Sequence, residues 1–94
     1  MIAYLAVHEF GHNVDFRLMN KELWKEYKEL RGITDTEVYN NNAPISGNRP
    51  QEIFAEDFRL LYGSKEAKVQ PHQNSNLANP NDVSGLRDFF EKLV

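Results

Sequence analysis

Ninety-four residues, 40% hydrophobic and 27% charged, describe one small globular domain and exclude a disordered tail. A net charge of −3 offers none of the basic face that nucleic acid requires, and the absence of cysteine excludes disulfides, thiolate metal sites and cysteine nucleophiles. The longest apolar run, Ile2 to Val7, is far too short to span a membrane and lacks the flanks of a signal peptide, so the residues leave the compartment open.

The chain reads as mainly α, with little or no β-sheet, in a single domain over residues 1–94. A first helix is predicted over 2–19, with Leu5, Ala6, Phe10, Val14 and Leu18 at spacings of three and four. That apolar character argues that the helix is buried. Gly11 inside it costs helix stability and is expected to let another element pack closely. Asn20 can cap a second helix whose stripe is Leu23, Trp24, Tyr27 and Leu30 and which Gly32 ends. Its Lys21, Glu22, Lys25, Glu26, Lys28 and Glu29 make a solvated face.

From Ile33 to Arg49 the chain is polar and broken, with a short extended piece expected around Thr36 to Tyr39. Pro50 suits the first turn of a third helix over 50–62, which Gly63 closes, and its core stripe is Phe54, Phe58 and Leu61 with Ile53 and Leu60. Ser64 to Asn79 is irregular, and His72 within it is expected to face solvent. Asn79-Pro80 opens a last helix over 80–93, with Val83, Leu86, Phe90 and Leu93 in register. Trp24, Tyr27, Phe89 and Phe90 are expected to pack as core.

Chemistry concentrates in His8-Glu9-Phe10-Gly11-His12, which fits H-E-x-x-H. On a helix the two imidazoles stand one turn apart on one face and reach one ion. Glu9 leans to the side, where it serves a metal-bound water as a base without taking a coordination place. Polar groups on the buried side of an apolar helix are costly unless something satisfies them, and zinc does so. Asp15, three residues beyond His12, shares the face but lies a further turn from the ion. It reads as a group supporting the site from behind.

A third ligand is better sought in the third helix. Glu52 and Glu56 are four apart and project from one face. One carboxylate would complete a His-His-Glu set and the other would accept the remaining N–H of a ligand histidine. The bland reading is a solvated acidic stripe with Arg59 paired to Glu56.

Taken together, His8-Glu-Phe-Gly-His12-Asn-Val-Asp15 and Pro50-Gln-Glu52-Ile-Phe-Ala-Glu56-Asp-Phe58-Arg-Leu resemble the anthrax lethal factor-like zinc metallopeptidases, which include the Pro-Pro endopeptidases. The resemblance implies the C-terminal, helical part of a zincin-like catalytic domain. It assigns zinc to His8, His12 and Glu52, support to Glu56 and the general base to Glu9. It also implies a peptide or protein substrate and suggests secretion. The family carries a tyrosine about two helical turns before the ligand glutamate, thought to stabilise the oxyanion. Counting seven residues back from Glu52 reaches Ile45, which leaves Tyr39 as the nearby substitute.

The expectation is a zinc metalloendopeptidase. The alternative is a truncated or inactive zincin-like domain that keeps zinc for structure or acts as a binding module. Zinc proteases usually place a β-sheet before the metal-binding helix, and the motif here starts at the eighth residue. A fragment is therefore expected, with an upstream domain as a possible partner.

Overall fold

The computed structural model describes residues 3–93. Among the described residues four α-helices follow one another: α1 (Ala3–Leu18), α2 (Lys21–Arg31), α3 (Pro50–Tyr62) and α4 (Leu86–Leu93). Short 3-10 turns lie at Ser46–Asn48, Glu66–Lys68 and Pro80–Asp82. Among the described residues there is no strand. Where an extended piece was expected, Asp35 starts tight turns, its carboxylate accepting from Glu37 N at 3.0 Å and its carbonyl from Tyr39 N at 2.8 Å. No described helix is long and apolar enough to cross a membrane.

The ends of α2 follow from two residues. Asn20 accepts from Leu23 N at 2.8 Å, and Gly32 adopts φ 71°, a left-handed conformation that glycine enters without cost. Gly32 N then bonds Glu29 O and Ile33 N bonds Lys28 O, which closes the helix with Ile33 fully buried beneath it.

Helix α3 is the centre of the molecule. Pro50 occupies its first turn, and Ile53, Phe54, Ala55, Leu60 and Leu61 are all buried. Phe54 sits among Trp24, Tyr27 and Phe90, with ring centroids 4.8–5.5 Å away, so the aromatic residues of α2 and α4 pack as expected. Helix α4 begins later than the sequence pattern suggests. The stretch 80–93 divides because Val83 is extended and Gly85 takes φ 84°, which interrupts a continuous helix; Pro80–Asp82 remains a separate 3-10 turn.

Helix α1 differs from expectation in its buried face. Phe10 is 57% exposed, and Leu5, Ala6 and Leu18 of the expected stripe are exposed as well. Of the apolar stripe, Val14 packs against the core, and Phe10, though largely exposed, lays its ring against Phe58 of α3 with centroids 5.5 Å apart. The helix docks instead through the face of His8, Gly11, His12 and Asp15, because α3 presents polar partners to that face. Ile2 of the predicted first helix lies outside the described residues, and the helix ends at Leu18.

Candidate metal centre

Helices α1 and α3 make the main contact of the fold, and Gly11 sets their separation. A Cβ placed on Gly11 would lie 2.9 Å from Ala55 Cα and 3.1 Å from Ala55 O. Two residues without bulk therefore meet at the crossing. His8 and His12 flank Gly11 one turn apart, and Glu52 and Glu56 flank Ala55 one turn apart. Close approach of the backbones sets two imidazoles against two carboxylates.

Three donors converge on one point. His8 Nε2 lies 3.1 Å from Glu52 Oε1, His12 Nε2 lies 3.0 Å from Glu52 Oε2, and the two Nε2 atoms are 3.0 Å apart. The fourth side chain holds the set from behind, with His8 Nδ1 2.9 Å from Glu56 Oε2. Glu56 also receives Arg59 Nε at 2.8 Å, Arg59 Nη2 at 3.0 Å and Gln73 N at 2.8 Å. Burial pushes the Glu56 carboxyl up, but the hydrogen bonds from His8 and Arg59 outweigh it and hold the pKa at about 2. The hydrogen bond to Glu56, opposed by burial, raises His8.

Counting protons shows what the cluster needs. An ionised Glu56 only accepts, so His8 Nδ1 carries a hydrogen and donates it. While Glu52 is ionised its oxygens only accept, and no arrangement of protons then satisfies its two histidine contacts and the His8–His12 contact together. If both Nε2 atoms are protonated they face each other as donors at 3.0 Å; if one is bare, it faces a Glu52 oxygen lone pair against lone pair. A single cation held between the three side chains would satisfy all of them. Zinc–donor distances of about 2.0–2.2 Å in a tetrahedral set separate donors by roughly 3.3–3.6 Å, so the 3.0–3.1 Å spacings here would open by a few tenths of an ångström around the ion. The residues fit such an ion.

Glu9 is exposed, and its carboxylate comes within 4.8 Å of the His8 and His12 nitrogens. Beside the cluster lies a cleft of about 280 Å³ bounded by Leu5, His8, Glu52, Gln70, Pro71 and Gln73. A larger hollow of about 720 Å³ runs along α2, lined in part by exposed Lys21 and Lys25, and among the described residues no group of metal-ligating side chains converges there.

Among the expected site residues, His8, His12, Glu52 and Glu56 are in contact, and Glu9 stands beside them. Asp15 faces His12 closely enough for their charges to interact, without a hydrogen bond, and burial raises its pKa. Tyr39 does not join the cluster: it packs against the hydrophobic core and lines no part of the cleft. Ile45 is 66% exposed. The bland pairing of Arg59 with Glu56 does exist, and it coexists with the Glu56–His8 bond.

His72 is not solvent-exposed as expected. Its Nε2 donates to Asp57 Oδ1 at 3.0 Å and its Nδ1 accepts from Asn74 N at 2.9 Å, with the side chain 8% exposed. Asp57 was the residue that sequence reasoning missed. Fully buried, it takes two bonds from Arg31 at 2.8 and 2.9 Å and one from Tyr27. The available signal was Glu56-Asp57 and Arg59 interrupting an otherwise apolar helix, since buried charges require partners.

Comparison with protein-family models finds no match, and comparison with curated proteins and with solved structures finds none.

Proposed function

We propose that this chain is a zinc-dependent metalloendopeptidase of the lethal factor-like, zincin-like kind. The observation that carries the reading is the closed triangle of His8 Nε2, His12 Nε2 and Glu52, whose contacts protons do not satisfy together while Glu52 is a carboxylate. In this reading His8, His12 and Glu52 hold the ion. Zinc bound there supplies a Lewis acid that acidifies a water and polarises a peptide carbonyl.

The chain's own residues do the remainder. Glu56 fixes His8 as the tautomer with hydrogen on Nδ1 and turns its Nε2 lone pair to the centre. Exposed beside the histidines, Glu9 takes the proton of the attacking water and delivers it to the leaving amine. His12 and Glu52 keep side-chain exposures of 27% and 20%, which leaves an approach for water and substrate. Glu9→Gln is expected to retain zinc and lose hydrolysis of a peptide library. Cleavage by that variant at the parent rate would sink the mechanism.

One observation favours a second reading, a zinc site that serves structure. Glu9 groups with His8 and His12 within ligand range, and as a fourth ligand it would close the site. Zinc affinity separates the two roles: it falls in Glu9→Gln if Glu9 is a ligand and holds if Glu9 is a base.

A further inference from the structure

We propose that Arg59 is a positioning residue that ties the support of the metal centre to the wall of the neighbouring cleft. The inference rests on the metallopeptidase reading and extends it to residues 67–73. Arg59 is 1% exposed in its side chain and lies inside α3. Its guanidinium grips Glu56 through Nε at 2.8 Å and Nη2 at 3.0 Å. The other edge donates to three backbone carbonyls: Ala67 at 3.0 Å, Gln70 at 2.8 Å and Pro71 at 3.0 Å.

Those carbonyls belong to a segment that is helical only at Glu66–Lys68. Beyond Lys68 it has no ladder to pair its backbone, and buried groups of α3 take that place. Arg59 collects the carbonyls, Glu56 accepts Gln73 N at 2.8 Å, and Asp57 holds His72 at 3.0 Å. The segment so fixed brings Gln70, Pro71 and Gln73 to the cleft that His8 and Glu52 line, with Glu56 and Arg59 at its floor. One planar cation thereby orients Glu56 behind His8 and holds the surface that a peptide beside the metal would meet. The five bonds use the rigid fork of a guanidinium, which the point charge of lysine does not reproduce.

The test is Arg59→Lys, with melting temperature and circular dichroism showing that it folds. Cobalt(II) binding without substrate reads the metal centre, and KM against kcat for a peptide cleaved by the parent reads the wall. Both cobalt affinity and KM should worsen roughly tenfold, as expected when groups that orient ligands and substrate are loosened, with kcat changing less. Pro71→Gly, on the exposed wall, should raise KM and leave cobalt affinity as it was, and this variant decides the matter if Arg59→Lys does not fold. Parental KM in either variant, or unchanged cobalt affinity in a folded Arg59→Lys, overturns the inference and leaves the metallopeptidase reading standing. A parent protein that binds no cobalt or cleaves no peptide overturns both.

Discussion

Gly11 approaches Ala55 so closely that a Cβ on it would stand 2.9 Å from the Ala55 Cα. This contact between two backbones, with Phe10 on Phe58 and Val14 on the core beside it, fixes α1 on α3. It also sets the distance between the two histidines and the two glutamates.

Gly11→Ala should therefore act on the metal centre although residue 11 has no side chain in it. Relieving the clash requires α1 to shift, since backbone atoms of Ala55 cannot rotate away. A destabilisation of about 1–3 kcal/mol, the usual cost of overpacking, is expected in denaturant unfolding of the apo-protein. Zinc affinity should fall with it. Parental affinity in this variant would mean that the crossing does not set the ligand spacing.

Removing the charge behind His8 should also show in metal binding. Glu56→Gln keeps the shape but gives Arg59 and His8 a weaker, neutral acceptor. Zinc affinity is expected to drop by about 10–100-fold, the range for lost supporting partners of a ligand histidine. Calorimetric titration would measure it, and a change below twofold would remove Glu56 from the site.

Stability of the metal-free protein should depend on pH in two windows. The Glu56 pKa is depressed to about 2 from an ordinary 4.5, so its contribution is present above 4.5 and is lost as pH falls toward 2. The His8 pKa is raised above its ordinary 6.5, so its contribution is full below 6.5 and is lost as pH rises through the raised value. Zinc competes with the proton on His8 Nε2, so zinc affinity should fall as pH is lowered through the same value. Denaturant midpoints and zinc affinities measured across pH would check both. Zinc affinity that is flat through that range would contradict His8 as a ligand.

Two phenylalanines test how α1 sits. Phe54→Ala, in the aromatic centre and fully buried, should cost about 3–5 kcal/mol. Phe16→Ser, at a side chain 89% exposed, should stay within about 0.5 kcal/mol. A large loss at Phe16 in urea unfolding would mean that this face of α1 is covered rather than exposed.

The sequence was most readable where one residue decides a local conformation. Asn20, Gly32, Pro50 and Gly63 each mark a helix end that the fold realises, because capping and left-handed geometry are short-range properties. Spacing within each helix likewise placed His8 with His12 and Glu52 with Glu56. What spacing could not supply was how the helices dock. Leu5, Phe10 and Leu18 form an apolar pattern, yet satisfying His8 and His12 against α3 turned that side outward. Asp57 and His72 escaped for a related reason: their pairing spans fifteen residues through an irregular segment, and nothing periodic connects them. The break at Gly85 shows the same limit, since an apolar period continued across a residue whose φ interrupts the helix.

The most direct measurement is the zinc content of the purified protein after exhaustive dialysis, read beside His12→Ala and Glu9→Gln. One zinc per chain is predicted for the parent and for Glu9→Gln, with near-complete loss in His12→Ala. A parent without zinc, or a His12→Ala variant that keeps it, would contradict a centre built from His8, His12 and Glu52.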